Sequence, residues 1–241
     1  MDNSFSMGNN LNRRTFVFTA STVLSAPSLV LSSQTFATEA SREFLVKWRN
    51  MTIGSSNVRV RRDQKKLKTE IDVNLVVKIF GITFYSYSLK NRELWEEGQL
   101  IKLTSEAQEN KKKDQLSVHK RAKNLHIKGS KFTGEISENA ATTSYFTSDF
   151  LLRNLWINTH NGKPLNVDFM ASGEENISTF SGDRVAKKWV NSGDLDLSLF
   201  YDANGDWIGS SFPVRGEQAT MILNKENNSI NDLWKKTLSQ W

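Results

Sequence analysis

Apolar and polar side chains alternate along most of this chain, and that period predicts β-strands. The alternation is clearest over residues 44–48, 71–79 and 195–201, where apolar side chains fall on one face and mostly polar ones on the other. A period of two is typical of half-buried strands, because successive side chains of a strand point to opposite faces. Further strand-like runs are residues 58–60, 83–89, 100–103, 116–118, 125–127, 167–170, 185–190, 208–214 and 219–223.

Short turns between these runs predict antiparallel pairing. The strongest hairpin signal is Asn204-Gly205 between Tyr201 and Trp207, because a type I′ turn needs positive φ at both central residues. Parallel pairing would need a crossover of a dozen or more residues. The pattern therefore predicts a long antiparallel meander.

Two segments have helical spacing instead. Residues 144–156 carry apolar pairs four apart and predict one inserted helix. The C-terminal segment predicts a second helix, because Ser229 and Asp232 stand at capping-box spacing before an apolar stripe. The stripe consists of Ile230, Leu233, Trp234, Leu238 and Trp241.

The predicted fold class is mainly β: a long antiparallel meander curled into a half-barrel or barrel, with one inserted helix and one C-terminal helix. A twisted sheet of about ten or more strands tends to curl or split. A two-sheet sandwich is the alternative.

The N-terminal segment predicts export. Asn12-Arg13-Arg14-Thr15-Phe16-Val17-Phe18 resembles a twin-arginine signal, in which Arg13, Arg14 and Phe16 match the pattern. An uncharged run follows, and Thr35-Phe36-Ala37 fits a small-x-small cleavage site. We predict a twin-arginine-type signal peptide over residues 1–37, cleaved after Ala37, and a single β-rich domain over residues 38–241. The protein would meet the twin-arginine translocase and then work in the periplasm; an ordinary signal peptide with a chance arginine pair is the alternative.

Composition leaves little room for cofactor chemistry. The chain has no cysteine and three histidines, so we predict no metal and no cofactor. It has neither a Gly-x-Ser-x-Gly elbow nor a phosphate-binding glycine loop. Glu93 and Glu97 flank Trp95, but in a strand they would lie about 13 Å apart, beyond the span that paired glycosidase carboxylates use. The sequence therefore names no reaction.

A basic run surrounds one predicted hairpin and forms a candidate contact face. Its residues are Arg59, Arg61, Arg62, Lys65 and Lys66. Export argues against nucleic acid as the partner, so the face would contact anionic lipid headgroups or an acidic protein. A solvated hairpin face is the alternative.

Two motifs lie in the predicted meander. The first contains Trp95, Gly98 and Leu100, and the second contains Tyr201, Asp202, Gly205 and Trp207. Their order and separation resemble an exported bacterial family, domain of unknown function 6134. The resemblance covers about Phe44 to Leu223 and implies a β-rich exported protein, but no activity. The layout is also similar to periplasmic lipoprotein carriers, whose curved sheets hold acyl chains.

Three functions remain. The leading hypothesis is a non-enzymatic periplasmic protein that binds a lipid or other hydrophobic ligand inside a curved sheet, which the 7 Trp and 14 Phe residues would help to line. The second is an envelope interaction or assembly module that uses the basic face. The third is an uncharacterised hydrolase.

Overall fold

The computed structural model describes residues 38–49, 51–214 and 216–238, which form sixteen strands and two short helices. Arg13, Arg14, Phe16 and the predicted cleavage after Ala37 lie outside the described residues. The first eight strands are β1 (Glu39–Trp48), β2 (Met51–Asp63), β3 (Lys66–Ile79), β4 (Ile82–Glu96), β5 (Gln99–Glu109), β6 (Lys112–Arg121), β7 (Asn124–Gly129) and β8 (Thr133–Ser137). The middle segment contains β9 (Ala141–Thr142), a 3-10 helix (Ser148–Leu152), β10 (Leu155–Ile157) and β11 (Pro164–Asn166). The last elements are β12 (Phe169–Thr179), β13 (Gly182–Asn191), β14 (Ser198–Tyr201), β15 (Trp207–Val214), β16 (Glu217–Asn227) and helix α1 (Ile230–Leu238).

One antiparallel sheet of thirteen strands dominates the fold. Its order is β12-β13-β14-β15-β16-β1-β2-β3-β4-β5-β6-β7-β8, and β9, β10 and β11 form a small second sheet. The first strand pairs with the last near the middle of the large sheet, where Phe44 lies opposite Leu223. This arrangement confirms the mainly β class and the large antiparallel sheet.

The large sheet curls around one core without closing. Ile136 of edge strand β8 and Ile177 of edge strand β12 pack against the same buried cluster, so both edges of the sheet bend toward a shared interior. Among the described residues, however, β8 and β12 do not pair with each other. The prediction of a closed barrel was therefore wrong, and the sheet is curled and open.

The predicted C-terminal helix is confirmed, and the predicted inserted helix is wrong. At α1, the backbone N–H of Asp232 donates to Ser229 Oγ at 3.0 Å, which is the expected cap; Trp241 lies outside the described residues. Residues 144–156 form a single 3-10 turn followed by β10. The indole N–H of Trp156 donates to the carbonyl oxygens of Phe150 and Arg153. The Phe150 carbonyl also accepts the backbone N–H of Arg153 at 3.0 Å, and the 3-10 helix ends there because Arg153 has an extended backbone conformation.

The two ends of the curled sheet differ. The 3-10 helix and α1 fill one end, which also carries the turns after β2, β4, β6 and β14; we call it the plugged end. The turns after β1, β3, β5 and β15 lie at the other end, which we call the open end. Within the described ranges, neither helix has the length and apolar character needed to span a bilayer.

Candidate functional site

An apolar cleft lies on the concave face of the sheet, between the plug and the open end. Its main cavity has a volume of about 380 Å³, and a neighbouring lobe of about 300 Å³ lies nearer the open end. Both are lined by Val46, Leu75, Tyr85 and Phe212, so the two spaces are adjacent; we refer to them together as the cleft.

Strand register brings the lining residues together. Leu75 of β3 lies opposite Tyr87 of β4, and Val73 and Val77 lie opposite Leu89 and Tyr85. Because alternate residues of a strand face the same side, this odd-numbered set faces the interior as a row. Val46 of β1 and Met221 of β16 pair directly with each other and line the same cavity.

Aromatic side chains form much of the wall of the cleft. Trp207 packs against Phe44 with ring centroids 4.1 Å apart and against Tyr145 at 5.7 Å. Tyr87 stacks on His160 at 5.6 Å, and His160 Nε2 lies 3.0 Å from Asp114 Oδ2. Burial raises the pKa values of the Tyr87 and Tyr145 phenols above their usual range. Both rings therefore stay neutral at physiological pH.

A buried polar cluster lies beneath the apolar wall. Glu93 accepts hydrogen bonds from Asn91 Nδ2 at 2.7 Å, Trp95 Nε1 at 2.8 Å and Ser144 Oγ at 3.3 Å. Thr142 adds a 2.6 Å hydrogen bond to Ser144. Burial raises the pKa of the Glu93 carboxyl above its usual range, and the hydrogen bonds from its neighbours offset part of that effect.

Two polar atoms at the cleft have no protein partner in the described part of the chain. They are Asn91 Oδ1 and Ser210 Oγ, both buried, on residues that line the main cavity. A buried polar atom without a hydrogen bond is costly and rare. Because both atoms have almost no accessible surface, they lie behind the lining of the cleft and do not face a molecule bound in it.

The first family motif stabilises the plugged end. Trp95 is fully buried and lies 5.5 Å from Trp234 of α1, ring centroid to ring centroid. Gly98 has φ of +79°, and a Cβ there would lie 2.8 Å from the Leu238 side chain. Leu100 is buried opposite Trp95. These residues hold the sheet against the plug and do not line the cleft.

The second family motif joins the plug to the cleft. Tyr201 donates from its hydroxyl to the Tyr145 carbonyl at 2.9 Å, and Trp207 lines the main cavity. Asp202 Oδ1 accepts the backbone N–H groups of Asn204 and Asp206, each at 3.0 Å. The predicted hairpin is present, but its loop runs from residue 202 to residue 206 and is longer than a two-residue turn. The reason is that the Asp202 side chain takes over hydrogen bonding that a type I′ turn would leave to the backbone.

The predicted basic face lies at the plugged end, away from the open end of the cleft. Four of its five residues form ion pairs with glutamates of the same sheet. The pairs are Arg59 with Glu39 and Glu70, Arg61 with Glu39, Lys65 with Glu97, and Lys66 with Glu96. Arg62 donates to the Gln64 carbonyl at 3.1 Å. An acidic partner would therefore compete with four carboxylates that already stand beside the basic groups.

Other candidate sites are weaker. A larger groove of about 680 Å³ is lined mainly by polar and charged residues, including Lys90, Arg92 and Glu106. Within the described ranges, no three His, Asp or Glu side chains converge as metal ligands would. Glu93 is buried, whereas Glu97 lies in an exposed turn and pairs with Lys65. These two carboxylates do not share a site.

Sequence reasoning missed the residues that give the cleft its character. Tyr87, Asn91 and Ser210 belong to strands that were predicted, but no local signal marks them as neighbours. Glu93 carried a usable signal, because it alternates with Trp95 and so faces the interior. Its burial follows from the plug, whose position the sequence pattern does not specify.

Comparison with known proteins adds the family and the fold. A β-barrel-like protein of domain of unknown function DUF1849 from Brucella abortus has a similar solved structure, with a TM-score of 0.58 and 5% identity over 79% of this chain and 97% of that chain. At that identity the likeness concerns the fold alone. No curated protein matches the chain. The family model named Domain of unknown function (DUF6134) matches residues 44–224, which confirms the family predicted from the two motifs: this chain belongs to the DUF6134 family.

Proposed function

We propose that this protein is a periplasmic, non-enzymatic binder of a lipid or other hydrophobic ligand, which it holds in the cleft of its curled sheet. The cleft is the observation that carries the proposal. Its main cavity of about 380 Å³ is of the size usual for small-molecule sites, about 300–1,000 Å³. The wall is mainly aliphatic and aromatic, so a water-filled cleft would be unfavourable compared with one holding an apolar chain.

The apolar lining of the cleft defines the class of ligand. Val73, Leu75 and Phe212 line the main cavity, so they would contact the hydrocarbon part of a bound molecule. Asn91 Oδ1 and Ser210 Oγ have almost no accessible surface and do not contribute to this choice.

The export segment supports the proposed compartment. Arg13 and Arg14 precede an uncharged run, and a twin-arginine route carries cargo that has already folded. A large open sheet with an apolar concave face is safer when its edges and core are assembled before export. The location and route are thus part of the same proposal.

Native mass spectrometry of protein isolated from the periplasmic fraction tests the proposal. We expect a bound amphiphile in the wild type and its loss in Leu75→Trp, because Leu75 borders both parts of the cleft. Asn74→Trp is the matched control, since Asn74 is the exposed neighbour on the other face. Wild-type protein that is ligand-free and takes up no added fatty acid would refute the binding role; absence from the periplasmic fraction would refute the location.

A further inference from the structure

The hairpin formed by β3 and β4 projects beyond its neighbours at the open end. Strand β2 pairs with β3 only as far as Leu75, and β5 pairs with β4 only as far as Tyr87. Beyond these limits, residues 76–79 of β3 pair with residues 82–86 of β4, and Ser86 also exchanges hydrogen bonds with Asn110 in the turn after β5. We call residues 76–86 the projecting hairpin. Its base packs in the molecule, because Val77 is buried against Trp48 and Ala219, and its exposed tip runs from Lys78 to Thr83.

The projecting hairpin exposes apolar side chains where a water-facing turn would carry polar ones. Phe80 at its tip is fully exposed, and Ile82 is 73% exposed. Val76, Ile79 and Phe84 are each nearly half exposed. Exposed apolar groups concentrated in this way mark contact sites for membranes or other proteins.

The tip residue is unusual among the turns of this sheet. Phe80 has a positive φ of 49°, a conformation that is disfavoured for a bulky side chain. Five other residues with a similar φ begin tight turns of this sheet, and none is aromatic. They are Arg49, Gln64, Glu97, Asn110 and Ala122. Phe180 also begins a tight turn, but without a positive φ. An exposed aromatic ring is thus held at the tip despite an unfavourable backbone conformation.

Basic side chains surround the projecting hairpin. Lys78 lies on it, and Lys111 and Lys113 lie in or beside the adjacent turn after β5. In the part of the chain that the structure describes, none of these three has a carboxylate partner within ion-pair distance, whereas Lys112 pairs with Asp114 at 3.1 Å. An apolar tip flanked by uncompensated lysines is complementary to an anionic lipid surface.

We infer that the open end docks on an anionic bilayer, with Phe80 and Ile82 inserted between the headgroups and Lys78, Lys111 and Lys113 in contact with them. The inference does not depend on a ligand in the cleft. It places membrane contact at the end opposite to the basic face of Arg59 to Lys66. Val77 and Phe84 of the projecting hairpin also line the outer lobe, so docking would bring the cleft next to the lipid.

Vesicle co-sedimentation of the full chain tests the docking. Vesicles that contain phosphatidylglycerol should bind the wild type, and Phe80→Asp with Ile82→Asp should reduce the bound fraction at least tenfold, because charged groups do not insert. Phe180→Asp is the matched control, since Phe180 is 53% exposed at the opposite end. The N-terminal segment is identical in every variant, and the same comparison with protein isolated from the periplasmic fraction, from which we expect residues 1–37 to be cleaved, removes its contribution to vesicle binding.

Charge variants test the lysines separately. Lys111→Gln and Lys113→Gln should each weaken binding to anionic vesicles about fivefold, and leave weak binding to neutral vesicles unchanged. Arg59→Gln and Arg61→Gln at the plugged end should have no effect. The inference is overturned if the plugged-end variants weaken binding instead. It is also overturned if the Phe80 and Ile82 variants bind vesicles normally, or if they change only self-association in sedimentation velocity.

Discussion

The two ends of the curled sheet are built from the same strands, but one end is tightly packed and the other borders a cleft. At the plugged end, the rings of Trp95, Phe150 and Trp234 lie with centroids 4.9–5.6 Å apart, and glutamates neutralise the basic turns. At the open end, Tyr85 and Phe212 face a cleft. One half of each long strand therefore stabilises the fold, whereas the other half borders an open cleft.

The largest expected difference between the ends is in stability. Phe150→Ala should lower the free energy of unfolding by about 3–5 kcal/mol, because Phe150 is fully buried among four aromatic rings. Phe80→Ala should change it by less than about 0.5 kcal/mol, as is usual for an exposed site. Urea denaturation measures both values. Equal losses at the two positions would remove the distinction between the ends.

Two glycines with the same backbone conformation give a second contrast. Gly205 at the plugged end and Gly81 at the open end both have φ of +80°, so Ala costs about 1–2 kcal/mol of backbone strain at either position. At Gly205 the new Cβ would also lie 2.5 Å from Ser148 Oγ and 2.7 Å from Asn231 Nδ2, whereas nothing lies within 4 Å at Gly81.

Gly205→Ala should therefore lower the free energy of unfolding by about 1 kcal/mol or more beyond Gly81→Ala, because of this overpacking. Thermal and urea unfolding of the two variants measure the difference. The same loss in both variants would mean that the loop before Trp207 yields easily and that the plug is less tightly packed than the contacts indicate.

A third contrast concerns Glu93, at the boundary between plug and cleft. Glu93→Ala leaves the buried N–H groups of Asn91 and Trp95 without their acceptor, which costs roughly 1–3 kcal/mol. Glu93→Gln keeps an acceptor oxygen and should lose less. Unfolding free energies of the three proteins at one pH give this comparison.

The same carboxyl predicts a dependence on pH. Because burial raises the pKa of Glu93 in the folded state, the folded protein retains a proton that the unfolded chain releases above about pH 4.3. The stabilisation from this proton is complete below that pH and is lost as pH rises through the raised pKa. Glu93→Gln cannot titrate, so the wild type should lose stability relative to it between acidic and neutral pH. Parallel pH profiles would show that Glu93 ionises normally.

Local pattern predicted the strands better than their connections. The alternation from Ile71 to Ile79 and the capped stripe after Ser229 are properties of neighbouring residues, and both elements are present. The segment from 144 to 156 has helical spacing, but its 3-10 helix ends at Arg153, whose backbone is extended, and the chain continues as β10. The first residue of the turn at Phe80 and Gly81 is not a residue type common in turns. The sequence therefore did not predict the projecting hairpin.

The cleft depends on contacts that no local pattern contains. Asn91 and Ser210 are 119 residues apart in sequence. They belong to the lining of one cavity only because β16 pairs with β1 and the sheet then curls. For the basic face, the local sequence pattern contains the basic residues but not their ion-pair partners. Its residues lie together at the plugged end, but the glutamates that pair with them come from β1, β3 and β4 and from the turn after β4.

The pairing of β1 with β16 also determines when folding of the large sheet can finish. The arms on either side of it are meanders whose neighbouring strands are joined by short connections, and such hairpins form quickly. The central seam joins Phe44 to Leu223, so it must wait until nearly the whole polypeptide has left the ribosome. Contacts of such long sequence separation are slow to form. Until then β1 presents an unpaired edge, and any chain that ends before Glu217 would keep that edge permanently.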